Sequence, residues 1–172
     1  EKQSYKNFDV WVCDQSDAFD ADFYKGWHLD FHLIKQEEKA LWKARNRCIR
    51  ESTGEYLLFF DDDSRVQSDW ISEHLKCSSK TQISTGITFS IGGKSESNKD
   101  GYYHYSNSLD TGNVMIHRSI FEKIGFFDEK FERMRMGDGE FGLRSLLHGF
   151  PLISNYKASR IHLKGESGGL RQ

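Results

Sequence analysis

The sequence predicts an α/β domain with a mainly parallel sheet flanked by helices, and three observations carry that prediction. Short apolar runs at residues 8–13, 29–34, 55–60, 82–89 and 113–117 read as strands. Segments of helical period lie between or after several of them, which is the pattern of β-α-β units. The runs at 8–13 and 55–60 also stop in polar or acidic residues, where ligands collect in such sheets.

The elements follow in order. Phe8-Asp9-Val10-Trp11-Val12-Cys13 alternates and runs into Asp14-Gln15-Ser16-Asp17, a strand ending in a polar loop. In 29–34, Phe31 and Leu33 share a face. From 37 to 51, Leu41, Ala44, Cys48 and Ile49 recur at helical spacing among Lys43, Arg45, Arg47 and Arg50, and Gly54 closes the helix. After the strand 55–60 comes a helix over 68–78 with Trp70, Ile71 and Leu75 turned inward. The strands 82–89 and 113–117 are separated by a polar loop, 92–105; short and longer helices follow at 119–124 and 139–148.

With 172 residues the chain suffices for one compact domain, taken as 1–172. A net charge of -2, with lysines and arginines scattered among acids, argues against nucleic acid as a partner. Cys13, Cys48 and Cys77 are odd in number and widely spaced, so neither a disulfide framework nor a thiolate zinc site is expected. Reduced thiols and the lack of an apolar stretch of spanning length give the expectation of a soluble, cytoplasmic domain.

Asp61, Asp62 and Asp63 end the apolar run Tyr56-Leu57-Leu58-Phe59-Phe60. Burying such charges unpaired is prohibitively costly, so they face water, a cation, or both. Side chains alternate along a strand, which sets Asp61 and Asp63 on one side and Asp62 on the other. Two hard oxygen ligands suit Mg²⁺ or Mn²⁺, while a solvated turn is the plainer alternative. An EF-hand beginning at Asp61 is excluded, because Val66 and Ser72 stand where Gly and Glu are required. A phosphatase with an aspartyl nucleophile is disfavoured by Arg65. Gly137-Asp138-Gly139-Glu140-Phe141-Gly142 matches a dinucleotide fingerprint, but no hydrophobic strand precedes it and its acids would repel a pyrophosphate.

Six blocks occur in an order that resembles a family 2 glycosyltransferase. They are Tyr5-Lys6-Asn7-Phe8-Asp9-Val10-Trp11-Val12-Cys13-Asp14, Ala44-Arg45-Asn46, Thr53-Gly54-Glu55-Tyr56-Leu57-Leu58-Phe59-Phe60-Asp61-Asp62-Asp63, Thr111-Gly112-Asn113, Gly125-Phe126-Phe127-Asp128-Glu129 and Gly137-Asp138-Gly139-Glu140-Phe141-Gly142-Leu143-Arg144. The resemblance implies the Rossmann-like GT-A fold, here expected to lack the family's first N-terminal strand, since Glu1-Lys2-Gln3-Ser4 resembles the end of the helix after it. Gly137 departs from the family, which more often has Glu there.

The resemblance also implies a function: inverting, metal-dependent transfer of a sugar from a nucleoside diphosphate, of UDP type, to an acceptor hydroxyl in polysaccharide or surface-glycan assembly. Asp61 and Asp63 of the family's DXD motif would hold Mn²⁺ or Mg²⁺, with Asp61 or Asp62 near the ribose and His162 as a further metal ligand. Asp14 would accept a hydrogen bond from the nucleotide base, Arg45 would add positive charge, and Gly112 and Asn113 would line the sugar pocket. Asp138 would be the general base, near a helix N-terminus that favours a carboxylate. Glu140 and Arg144 would pair in support. Acceptor contacts would come from 92–105 and the glycine-rich tail after His162, and peripheral membrane association from parts outside this chain. The alternatives are a metal-dependent phosphohydrolase and a non-catalytic sugar-nucleotide-binding module.

Overall fold

The computed structural model describes residues 2–90, 103–134 and 136–163. In chain order its elements are β1 (Val10–Asp14), β2 (Phe31–Lys35), α1 (Leu41–Glu51), β3 (Tyr56–Phe60), β4 (Ser64–Val66), α2 (Trp70–Leu75), β5 (Ile83–Ser90), β6 (Tyr103–Ser106), β7 (Asn113–His117), α3 (Arg118–Ile124), α4 (Gly137–Leu147) and β8 (Leu152–His162). A six-stranded sheet has the order β3-β7-β5-β8-β4, with β6 also on β8, and β1 pairs with β2 in a sheet of two.

The six-stranded sheet is mixed, which corrects the expectation of mainly parallel strands. Only β1–β2 and β5–β8 are parallel. β7 runs antiparallel to β3 and β5, and β8 antiparallel to β4 and β6. The reason lies in the connections. Parallel neighbours need a long crossover, usually a helix, and among the described residues no helix stands between β5, β6 and β7. There the chain doubles back.

α1 begins at Leu41, later than expected, because Ala40 is extended and gives no side-chain cap. The acceptors come from a distant residue: the Glu132 carboxylate takes the backbone N–H groups of Leu41 (2.7 Å), Trp42 (2.5 Å) and Lys43 (2.9 Å). This satisfies donors that a helix start leaves orphaned. The buried face carries Trp42, Ala44, Asn46 and Ile49, while Leu41, expected inward, is 49% exposed. On α2 the buried residues are Trp70, Glu73 and His74; Ile71 and Leu75 are only half-buried.

The core gathers Trp42, Ile49, Ile83, Val114, Ile116, Ile120, Phe121, Phe127, Phe141 and Leu152. Each such side chain contributes about 1.5–3 kcal/mol when fully buried. Phe127 and Phe141 pack with ring centroids 4.6 Å apart, so two of the sequence blocks meet in the core. Asn46, 1% exposed, ties a third to them: its Nδ2 donates to Phe127 O (2.9 Å), and its Oδ1 accepts from Phe127 N (3.1 Å). No helix among the described residues is long and apolar enough to cross a membrane.

Candidate functional site

A crevice of about 300 Å³ is lined by Trp42, Arg45, Asp61, Asp110, Thr111, Gly112, Glu132 and Asp138, among others. It opens where β3, the start of α1, the turn before β7 and the start of α4 converge. A larger hollow, about 420 Å³, lies against Lys6, Phe8, His28, Leu29 and Asp30 and shares no lining residue with the crevice.

The crevice floor is an alternation of charges. Asp61 follows β3, and its Oδ1 accepts from Arg45 (3.0 Å) while its Oδ2 accepts from Arg160 (2.7 Å). Arg160, 5% exposed, also donates to Thr88 Oγ1 (2.9 Å), Ser64 Oγ (2.9 Å) and both oxygens of Asp110 (3.2 and 3.0 Å). Arg45 donates to Thr111 Oγ1 (2.6 Å) and lies over the Trp42 ring at 5.1 Å. Burial pulls its guanidinium below the ordinary arginine value, against the opposing pull of Asp61, Asp138 and Asp110. Both oxygens of Asp61 therefore carry an arginine contact, and its carboxylate is oriented by two fixed cations.

Asp63 sits at the other end of the same turn. Leu163 N donates to Asp63 O (2.8 Å), and β4 pairs with β8 in a register that puts Ser64 opposite His162. This ladder brings Asp63 Oδ1 and His162 Nε2 to 3.3 Å. Neighbouring ligands of an octahedral ion with bonds of about 2.1 Å are about 3 Å apart, so the pair fits two adjacent positions around Mg²⁺ or Mn²⁺. No group of three or more His, Cys, Asp or Glu side chains that could hold a metal occurs among the described residues. Among the described residues the protein ligands here would number two, Asp63 and His162, without the Asp61 expected beside them.

Asp14 ends β1, with its Oδ1 accepting from Ser16 N (2.7 Å) and Ser16 Oγ (2.6 Å) and its Oδ2 from Tyr24 Oη (3.1 Å). The Ser16 hydrogen bonds above all, with help from Tyr24 and Lys35, hold its carboxyl below the usual range. Asp62 acts electrostatically on Tyr24, so the end of β1 and the acidic turn share one neighbourhood.

Asp138 lies in the first turn of α4, where Gly139 N donates to its Oδ1 (2.8 Å). Glu140 is engaged by Arg144 through two contacts of 2.7 and 2.9 Å, the pairing expected from their spacing. Gly137, the departure noted above, has a local cause: a Cβ there would lie 2.3 Å from the Trp42 ring. The fingerprint-like run forms α4 itself, consistent with its rejection as a dinucleotide site.

Gly112 lines the crevice, but Asn113 does not, contrary to expectation. It is 0% exposed, its Oδ1 accepting from Trp70 Nε1 (2.8 Å) and His74 Nε2 (3.1 Å) and its Nδ2 donating to Ile87 O and Ala158 O (3.1 Å each). Arg160, Asp110 and Glu132 escaped the sequence reading, and Thr111 figures there only as part of its block. The one signal was that Arg160 stands two residues before His162 and so shares its face of β8. The expected tail and most of the 92–105 loop lie outside the described residues.

Comparison with known proteins matches this arrangement to one family. The model described as Glycosyl transferase family 2 matches residues 1–145. The chain is 35% identical over 83 residues to the amylovoran biosynthesis glycosyltransferase AmsB of Erwinia amylovora, covering 43% of this chain and 27% of that protein. It is 45% identical over 38 residues to the succinoglycan biosynthesis protein ExoM of Rhizobium meliloti (strain 1021), covering 22% of this chain and 12% of that one. The matches thus span about a quarter and an eighth of those relatives.

Solved structures show the fold. GalNAc-T7, crystallised with UDP, GalNAc and Mn²⁺, superposes with a TM-score of 0.77 at 14% identity over 93% of this chain and 38% of that one. The mannosyltransferase PcManGT from Pyrobaculum calidifontis, in complex with GDP-Man and Mn²⁺, gives 0.74 at 14% identity over 97% and 51%. Both are GT-A proteins, so the expected fold stands although its strand directions do not. On the family match over most of its length, the chain belongs to glycosyl transferase family 2.

Proposed function

We propose that this domain transfers a sugar, with inversion, from a nucleoside-diphosphate donor to an acceptor hydroxyl, in polysaccharide or surface-glycan assembly. The observation that carries the proposal is the meeting of Asp61, Arg45, Gly112 and Asp138 in one crevice, with Asp63, on the turn that Asp61 begins, beside His162 at the end of β8. The names of AmsB, an amylovoran biosynthesis glycosyltransferase, and of ExoM, a succinoglycan biosynthesis protein, support the assignment to glycan assembly.

Asp63 and His162 would hold the divalent cation, and the Mn²⁺ in the GalNAc-T7 and PcManGT structures favours that ion class. When bound, the ion supplies Lewis-acid neutralisation of the departing diphosphate. The chain's own residues do the rest. Asp14 accepts a hydrogen bond from the nucleobase, and Asp62 from the ribose. Arg45 adds fixed positive charge at the crevice, and Asp61, clamped by two arginines, sets its position. Gly112 lines the donor side of the crevice, and its lack of a side chain leaves room for the Asp61–Arg160 pair beneath.

Asp138 takes the acceptor proton. Its Oδ1 already accepts from Gly139 N, which leaves Oδ2 to receive it as the hydroxyl oxygen bonds to the anomeric carbon and the diphosphate departs from the opposite face. Glu140 is held by Arg144 and is the weaker base candidate.

Incubation with a panel of sugar nucleotides and Mn²⁺, followed by product analysis, tests the reading. Release of a nucleoside diphosphate is expected. Release of the monophosphate instead would assign a phosphohydrolase, and no turnover with retained donor binding would assign a binding module.

A further inference from the structure

We propose that Tyr24 is a positioning residue for the nucleobase, and that with Ser16 it holds Asp14 so that the site selects a base carrying a ring N–H. The inference rests on the reading of Asp14 as the nucleobase acceptor.

Ser16 N and Ser16 Oγ donate to Asp14 Oδ1, and the Tyr24 hydroxyl donates to Oδ2. An ionised carboxylate accepts through about four lone-pair sites and donates nothing. Oδ1 is doubly occupied, so the capacity that remains is on Oδ2, beside the Tyr24 hydroxyl. That hydroxyl keeps its proton, because burial and the adjacent Asp14 raise its pKa above the ordinary tyrosine value.

The ring that carries the hydroxyl is fixed by packing. Tyr24 stacks on Phe31 at 5.1 Å and 22°, and meets Trp27 edge-on at 5.6 Å and Phe23 at 5.1 Å. The 3₁₀ turn Ala21–Tyr24 is itself capped by Asp20, whose side chain accepts from Asp22 N (2.9 Å). The direction of Oδ2 is thus set by an aromatic cluster and not by a free loop.

The chemical consequence is a choice among bases. Uracil and guanine offer a ring N–H to the carboxylate. Cytosine and adenine offer a bare ring nitrogen, which would set lone pair against lone pair. Sites built around a specific hydrogen bond reject analogues that lack it far more strongly than apolar pockets do.

Calorimetric titration of UDP, GDP, CDP and ADP in Mn²⁺ buffer tests this on the unaltered chain, Tyr24→Phe and Asp14→Asn. UDP or GDP is expected to bind at least roughly tenfold more tightly than CDP or ADP. Tyr24→Phe keeps the ring and its packing, and should weaken the preferred nucleotide roughly fivefold while leaving the others unchanged, so the ratio narrows. A Tyr24→Phe variant with an unchanged ratio, including one that loses affinity equally for all four, overturns the proposal provided Asp14→Asn narrows it. If Asp14→Asn also leaves the ratio unchanged, or if none of the four binds, the base role of Asp14 fails and the inference with it.

Discussion

Asp61 and Arg160 meet at 2.7 Å under a backbone that has room for them only because residue 112 is glycine. A Cβ at Gly112 would lie 2.1 Å from Asp61 Oδ2 and 2.2 Å from Arg160 Nη1. Arg160 is nearly buried, and the side chains of Asp61 and Asp110 are 34% and 39% exposed. Glycine here serves close approach, not an unusual backbone angle.

Gly112→Ala is therefore expected to split the pair. Leaving a buried guanidinium partly unpaired should cost about 2 kcal/mol, below the range for fully buried pairs because both carboxylates reach solvent. A urea midpoint within error of the parent's would show that the pair moves aside freely. Arg160→Met should cost a similar amount, and combining the two should give less than their sum because they share one network.

Asp63→Ala should abolish Mn²⁺-dependent donor binding while leaving the fold intact, since the side chain, 18% exposed, lies in the turn between β3 and β4 and outside the apolar core. Calorimetry with and without the ion provides the measurement. Unchanged donor affinity in Mn²⁺ would rule Asp63 out as a ligand.

Asp138→Asn keeps size and the hydrogen bond from Gly139 N but removes basicity. Turnover should fall by roughly two to four orders of magnitude with donor affinity little changed. Near-normal turnover would leave Asp138 a structural residue of α4 and direct attention to Glu140.

His74 gives a pH prediction independent of activity. It is 0% exposed, and burial lowers its pKa from 6.5 to about 4. The Asn113 carbonyl accepts from its Nε2, which leaves Nδ1 to accept from Ser84 Oγ at 3.0 Å, so the neutral ring is fully satisfied. The unfolded chain takes up the proton more readily, so stability is complete above pH 6.5 and falls as pH drops through the window down to about 4. A shift of that size amounts to about 3 kcal/mol at most. Urea unfolding across the window should show the slope, and His74→Gln should lack it.

Much of this was legible because its causes are local. The β1, β3, β7 and α1 segments announce themselves through apolar periodicity, and the Glu140–Arg144 pair through helical spacing. β4 and β6 are three- and four-residue strands, too short to show a period, and become strands only by pairing with β8. Strand direction was misjudged for the same reason, being a property of connections. At the crevice, Arg45, Asp61, Gly112 and Asp138 come from blocks whose order is visible in the sequence. Asn113 was misplaced because adjacency to Gly112 does not say which face of β7 turns inward, and Arg160 was missed because its partners are distant in sequence, Asp61 by 99 residues and Asp110 by 50.

Glu132 closes the start of α1 with its own carboxylate. A helix start is a ready-made seat for phosphate, since its free N–H groups and dipole attract anions. In this domain that seat, although it borders the crevice, is already taken by the protein. On the proposed function a donor's phosphates cannot use the α1 amides, so their recognition leans on groups such as the Arg45 side chain, which a single substitution can remove.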